Sequence, residues 1–572
     1  MGSTAATSED TRMVTALVRL HDALTRVRLP LDLASAADQG PSLTEITAQL
    51  GDYVIPRSMA VDAPLLTVVG GSTGAGKSTL VNSLVGRRVS ASGVLRPTTR
   101  SPVLVHHPAD SDWFGPDRLL PDLIRSSTSS DDPGALQLVS TDLIPQGLAV
   151  LDAPDVDSVE EANRVLAAQL LAAADMWLFV TSAARYADQV PWEFLRAAAE
   201  RSTAVAVVLD RTAPESAQTV AAHLARMLIA RGLKDSPLFV LTEGTVENDG
   251  LLAPESVKEI RVWLEMLAHD SEARRSVVTQ TLTGAIRSVA RRTFPIADAV
   301  ADQVAVAEQL RADAVAAYDS ATSEVMSATA DGTLLRGEVL ARWQEFVGTG
   351  ELLKSLETRV GRLRDRVVGA VKGKPQQVER IQVAVESGLE LLILEHAEQA
   401  AERAAVAWRQ TEAGRRLLAS SAPDLSRASR SLRPAAERAV RDWQAGVLEM
   451  VRSQGADKRS TARVLALGVN GLSVSLMMVV FATTAGVTGA EAGIAGGSAL
   501  LGQKLLEAVF GDQAVRTLVE RARGQLQERL QVLLASERAR YTDLVDGLGL
   551  TQSTAEALRQ AARGVDDARF GL

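Results

Sequence analysis

The sequence contains no cysteine, and only 3 % of its 572 residues are aromatic. Without thiols there is no disulfide, no thiolate metal site and no cysteine nucleophile, which fits a reducing cytoplasm. With so few aromatics, the 46 % hydrophobic fraction consists largely of Ala, Leu and Val. That mix favours long packed helices over β-sandwiches. The six histidines (His21, His106, His107, His223, His269 and His396) have no ligand spacing, so a catalytic zinc site is not expected. A basic field is missing too. Lys and Arg number 61 against 70 Asp and Glu, a net charge of −9, which argues against nucleic acid as the partner. The first residues lack the apolar stretch of a signal peptide. A chain of this length calls for more than one domain.

What is present is organised in blocks. Residues 9–50 read as helix, with Leu17, Leu20, Leu24 and Leu29 broadly in register and an interruption at Pro30. A connector marked by Pro56 follows. From about 63 to 250, apolar runs recur at Leu65–Val69, Pro102–Val105, Leu148–Leu151, Met176–Val180, Ala204–Leu209 and Leu238–Leu241, separated by helical stretches. The pattern predicts an α/β domain with a mostly parallel sheet and helices on both faces. From 253 to 463, long Ala/Leu/Val/Arg/Glu stretches predict a helical bundle, broken at Pro295, Gly348–Gly350, Gly373–Pro375, Pro423 and Pro434. The expected division is a helical segment at 1–56 packing with the bundle, an α/β domain at 57–252, the bundle at 253–463, an apolar hairpin at 464–510, and a helix at 511–572 returning to the bundle. No repeat of solenoid period is present.

The strongest chemical motif is Gly71, Ser72, Thr73, Gly74, Ala75, Gly76, Lys77 and Ser78, followed by Thr79. It satisfies G-x-x-x-x-G-K-[ST] between an expected strand and an expected helix, the context a P-loop requires. Glycines let the backbone curl so that amide N–H groups and a helix N-terminus face phosphate. In such a loop Lys77 reaches the β- and γ-phosphates and Ser78 Oγ meets Mg²⁺. A switch threonine, at Thr98 or Thr99, precedes the next strand. Asp152, closing the run Leu148–Leu151, stands where a Walker-B carboxylate is expected to help hold Mg²⁺. An ABC-type reading has no LSGGQ-like signature to support it.

The segment from Gly86 through Thr99, Arg100, Ser101 and Pro102, with Asp152, Ala153 and Pro154 later, resembles the dynamin superfamily, in which T-R-x-P follows the P-loop and D-x-P-G comes afterwards. The order of helix, GTPase domain, helical bundle and apolar tip resembles bacterial dynamin-like proteins in particular. The resemblance implies GTP as cofactor, with ATP not excluded, together with Mg²⁺. It also implies homo-oligomerisation, or pairing with another dynamin-like protein, at the cytoplasmic face of the cell membrane. Three elements depart from the family pattern. Its water-positioning glutamine falls at Thr73 and a serine at Gly74. The closing glycine of D-x-P-G is Asp155. The guanine-reading [NT]-K-x-D is Asp210, Arg211, Thr212 and Ala213, without the final carboxylate.

Residues 464–490 carry no charge at all. As helix they would run about 40 Å, against a bilayer core of about 30 Å. A Gly/Thr-rich stretch at 483–489 divides a dense arm, Val469–Phe481, from a second arm, Ala490–Leu501, and suggests a hairpin entering a lipid membrane through residues 464–503. Gly489, Gly493 and Gly497 recur every fourth residue, which permits close helix contact. Lys458, Arg459 and Arg463 precede the hairpin, where anionic headgroups would be expected. The competing reading is a buried bundle core, since no Trp/Tyr belt flanks the segment. A basic run from Lys354 to Lys374 reads first as a solvated helix face.

Two functions follow as expectations. The first is a slow, dynamin-like GTPase coupling nucleotide to membrane association or remodelling. Lys77, Thr73 and Thr98 or Thr99 would serve catalysis, residues 71–79 with Asp210 and Arg211 would hold nucleotide, and Ser78, Thr99 and Asp152 would hold metal. The second is a hydrolysis-poor switch or scaffold that recruits a partner protein, motivated by Thr73, Asp155 and the incomplete base-reading motif.

Overall fold

A computed structural model of the chain describes residues 8–91, 101–243, 250–330, 375–455, 468–481 and 502–570, with 339, 341 and 342, and without the single positions 117, 129, 131, 133, 159 and 202. The chain divides into two compact units. One holds Met1–Leu29, Ala34–Gln303 and Thr551–Leu572, and the other Pro30–Leu33 and Val304–Leu550.

The first unit is built on one eight-stranded sheet. Its strands are β1 (Leu65–Gly71), β2 (Val103–His106), β3 (Ile124–Ser126), β4 (Ala135–Ser140), β5 (Leu148–Asp152), β6 (Met176–Ser182), β7 (Ala204–Thr212) and β8 (Leu238–Thr242). The order is β3-β4-β2-β5-β1-β6-β7-β8, and only the β2–β5 pair is antiparallel. Each of the six apolar runs forms a strand. Strands β3 and β4 have no counterpart in the sequence reading, because Ile124 is exposed and β4 is buried only at its start. Alternation along each central strand supplies two cores. Leu66, Val68, Trp177, Phe179 and Val207 face one way, and Leu65, Val69, Leu178, Val180 and Val208 face the other. Burial on both faces explains why these strands read as unbroken apolar runs.

Around the sheet lie α1 (Ser8–Thr25), α2 (Ala34–Gln49), α3 (Ile55–Ser58), α4 (Lys77–Val85), α5 (Glu161–Ala172), α6 (Gln189–Glu200), α7 (Ala217–Ala230), α8 (Lys258–His269) and the first part of α9 (Ser271–Ala330). The region expected to be a connector around Pro56 is helical. A π-turn at Leu50–Val54 continues α2 into α3, so Pro56 lies within one helical run. The stretch expected to break at Pro295 is one continuous helix, with Ile296 and Ala297 fully buried beside the proline. Packing there outweighs the local penalty.

The two chain ends of this unit share its core. Leu17, Leu20 and Leu24 of α1 join Ala555, Leu558 and Val565 of the helix Gln552–Phe570, with Leu282, Ile286 and Val289 of α9. Of the end segment expected to return to the bundle, Asp512–Asp546 lies in the helical unit, while α1 and Gln552–Phe570 belong to the unit that holds the sheet. A buried ion pair ties α3 to the strands. Arg57 Nη2 lies 2.7 Å from Asp175 Oδ2, both side chains are fully buried, and Tyr53 Oη and Leu66 N donate to the same carboxylate.

The second unit is helical. Among the described residues its helices are the remainder of α9, Pro375–Arg409, Glu412–Ser420, Leu432–Gln454, Val469–Val480 and Asp512–Asp546, with a helical stretch at 502–510. Tyr318, Trp408, Trp443, Phe481 and Tyr541 form part of its core. Trp408 meets Tyr541 edge-on at 5.0 Å, and the Tyr541 hydroxyl donates to the carbonyls of Ala401 and Leu425. Pro434 does not break a helix but lies in the first turn of Leu432–Gln454.

The dense apolar arm forms the helix Val469–Val480, and every residue from Gly471 to Phe481 is buried. Phe481 packs on Trp443 at 5.5 Å, Arg523 donates to the Val480 carbonyl, and Ser473 and Ser475 bond back to Val469 and Gly471. A helix apolar on all sides is expected inside a core or a membrane; this arm occupies the core. Among the described residues no helix is long and apolar enough to cross a membrane. The second arm at 490–501, Gly489, Gly493 and Gly497, the basic residues Lys458, Arg459 and Arg463, and the run Lys354 to Lys374 lie outside the described residues.

Candidate functional site

Strand β1 ends at Gly71, and the chain curls through 72–76 before α4 begins at Lys77. Three glycines shape this turn in the left-handed region, with φ of 148° at Gly71, 74° at Gly74 and 95° at Gly76. Two of them are also constrained by neighbours. A Cβ on Gly71 would collide with the Val180 carbonyl, and one on Gly76 with Asp210 Oδ2. The glycine spacing of the motif is therefore dictated by β6 and β7 as well as by backbone torsion.

Lys77 is 5 % exposed, and its ammonium sits inside the curl. It donates to the carbonyls of Gly71 at 3.0 Å and Ser72 at 3.1 Å, and to Asp155 Oδ1. Asp155 is the residue standing where the D-x-P-G pattern has glycine. Its carboxylate supplies the negative charge that a phosphate would otherwise bring to Lys77. A second carboxylate of the same loop holds the tip of the curl. Asp157 Oδ1 accepts from Thr73 N at 2.6 Å and from Thr73 Oγ1 at 2.8 Å, and Arg185 donates to its other oxygen at 2.6 Å.

Asp152, the last residue of β5, is fully buried. Ser90 Oγ donates to its Oδ2 at 2.5 Å, while Oδ1 has no hydrogen-bond partner among the described residues. Burial raises its pKa above the ordinary carboxylate range, opposed by hydrogen bonding with Ser78 and Ser90 and by the charge of Lys77. Ser90 is positioned in turn by Asn82, whose Oδ1 accepts from Val89 N and Ser90 N. An orphaned oxygen on a buried carboxylate beside Ser78 fits a divalent cation, with Ser78 and Asp152 as the ligating pair.

At the end of β7, Asp210 is buried against Gly76, and burial raises its pKa against the opposing Arg211 N–H and guanidinium. Arg211 adopts φ of 55°, a left-handed conformation uncommon for a long side chain. Its guanidinium is more than half exposed, with Nε 4.0 Å from Asp210 Oδ2. The fold thus brings residues 71–79, Asp152, Asp210 and Arg211 to the C-terminal ends of the interior strands β1, β5 and β7. Thr98 and Thr99 lie outside the described residues. Asp157, Arg185 and Ser90 were not foreseen from sequence. Their only signals were proximity to Asp155, position just after an apolar run, and position soon after the P-loop helix.

No protein-family model and no curated protein matches the sequence. Solved structures do. One, described as part of an oligomerised bacterial dynamin pair for long-range sensing and tethering of membranes, aligns at 10 % identity over 96 % of this chain and 96 % of its own, with a TM-score of 0.37. A second chain of that description aligns at 10 % identity over 73 % of this chain and 80 % of its own, with a TM-score of 0.26. LeoA from ETEC aligns at 11 % identity over 98 % and 97 %, with a TM-score of 0.23. All three are described as bacterial dynamins. Two of the three alignments cover nearly all of this chain, at low identity.

Proposed function

We propose that this chain is a dynamin-like, nucleotide-dependent protein that binds a nucleoside triphosphate, GTP in the first instance, together with Mg²⁺. The observation that carries the reading is Lys77, buried inside a glycine curl with Asp155 as its counter-ion. A buried ammonium within the loop that leads into α4 is what an incoming phosphate chain requires.

Lys77 and the amides of 72–78 would hold the phosphates, and Ser78 with Asp152 would hold the metal. Mg²⁺ in such a site neutralises charge building on the phosphate oxygens. Arg211 would lie along the base, and Thr73 is the residue proposed to orient water. The second reading, a hydrolysis-poor switch, is favoured by the engagement of the Thr73 hydroxyl with Asp157, which removes it from water positioning.

Membrane association at the cytoplasmic face, through residues 464–503, and assembly with a like protein complete the proposal. Because Val469–Val480 is buried, lipid contact by that arm would need the surrounding helices to open. The deciding experiment titrates the full chain with GTP, ATP and their diphosphates and measures steady-state turnover beside Lys77→Ala. Tighter GTP binding with turnover above the variant supports the GTPase; tight binding without turnover supports the switch; no binding refutes both. Sedimentation with anionic vesicles, with and without Ile494→Asp and Leu500→Asp, tests the membrane part. Equal binding by both forms would sink it.

A further inference from the structure

The helices α1 and Gln552–Phe570 pack side by side within the first unit, and the exposed seam between them is a groove of about 1190 Å³. Its floor consists of very small side chains: Ala16 and Ala23 from one helix, and Ala557, Ala561, Gly564 and Ala568 from the other. Its rim is arginine. Arg12 and Arg19 stand on α1, Arg26 in the turn that ends it, and Arg563 faces them from the other helix. All four are exposed, and none makes an ion pair with a described residue. Their neighbours behave differently. Arg559 pairs with Asp298 at 2.6 Å and Arg569 with Asp566 at 2.9 Å. In a chain of net charge −9, four unpaired arginines on one groove are a local reversal of sign.

We propose that this groove is the docking site for an acidic amphipathic α-helix of a partner protein. Three observations select that occupant. Arg12, Arg19 and Arg26 recur every seventh residue, so they form one stripe with steps of about 10 Å, the repeat of carboxylates at heptad spacing on a facing helix. The floor lacks large side chains, which lets a third helix axis approach closely between the two. Arginine favours carboxylate through its planar fork of donors. A flat bilayer does not enter a concave seam. Asp22 and Asp567 also line the groove and fix the register, because a partner helix must avoid placing its own carboxylates against them.

Exposed charge pairs are individually weak, so the binding should rest on their number together with the fit of the floor. The test uses full-length protein and a fluorescent helical peptide of about 20 residues, alanine-rich on one face with glutamate at every seventh position. A scrambled peptide of identical composition and vesicles of mixed anionic and neutral phospholipid serve as the other arms. The expected result is that the patterned peptide binds at least about tenfold more tightly than the scrambled one. The triple change Arg12→Glu, Arg19→Glu and Arg26→Glu should then weaken it by a further comparable factor, and Arg→Gln at the same positions by less. Ala561→Leu, which fills the floor without altering charge, should also weaken the peptide. Nucleotide affinity and circular dichroism should remain as in the parent, reporting an intact fold. Equal binding of patterned and scrambled peptides, or retention by the triple variant, overturns the proposal. Loss of vesicle binding instead of peptide binding in the triple variant also overturns it and assigns the surface to lipid.

Discussion

Asp157 grips Thr73 twice, accepting from its backbone N–H at 2.6 Å and from its hydroxyl at 2.8 Å. Two residues earlier in the same loop, Asp155 takes the Lys77 ammonium. The loop after β5 thus offers carboxylates to two groups of the curl that would otherwise meet an anion. A triphosphate must compete with both.

Asp155→Asn removes the competing charge while keeping the side-chain size. Triphosphate affinity should rise by about tenfold, because Lys77 no longer has to release a counter-ion. A fluorescent-nucleotide titration checks this. Unchanged or weaker affinity would mean that Asp155 assists binding.

Ser78→Ala and Asp152→Asn should each weaken binding in the presence of Mg²⁺ more than binding in EDTA. Equal losses under both conditions would remove these residues from the metal site. Since burial raises the Asp152 pKa, a proton competes with the cation at higher pH than for an ordinary carboxylate. Mg²⁺-dependent binding should therefore strengthen as pH rises out of the acid range, and this dependence should flatten in Asp152→Asn.

Asp52 titrates at about 6, raised chiefly by burial and held back by the hydrogen bond from Gln169 at 2.7 Å. Between pH 4 and 6 the native state keeps a proton that the unfolded state releases, so this group lowers stability as pH rises and levels off above 6. Asp52→Asn should be nearly neutral at pH 4 and stabilising by up to about 3 kcal/mol at pH 7. Thermal unfolding of both proteins at the two pH values measures the difference.

Leu476 is fully buried in the helix Val469–Val480. Leu476→Ala should destabilise the helical unit by about 2–5 kcal/mol, as for other buried leucines. A loss below about 0.5 kcal/mol in chemical denaturation would show that this helix spends its time away from the core in solution.

Much of the first unit was legible because its central strands are covered on both faces, which forces unbroken runs such as Met176–Val180. The edge strand β3 escaped because an exposed Ile124 and a three-residue length leave no pattern. Pro295 misled for the opposite reason, since a proline is a local signal and the helix through it is held by buried neighbours such as Ile296 and Ala297. The P-loop residues could be read in order because their chemistry is local to one turn. The grip of Asp157 on Thr73 could not, because it joins residues 84 apart through the folding of β5 beside β1. The apolar helix was ambiguous by nature. An all-round apolar surface records that water is excluded, not what excludes it.

The interleaving of the two units has a consequence for how the protein is made. Ala555, Leu558 and Val565 complete a core begun by Leu17, Leu20 and Leu24, yet they leave the ribosome after every residue of the helical unit. During synthesis the helical unit can close first, while α1 waits with an uncovered apolar stripe for a strand of chain not yet translated. That interval is when the nascent protein is most exposed to aggregation, and when a chaperone would have most to hold.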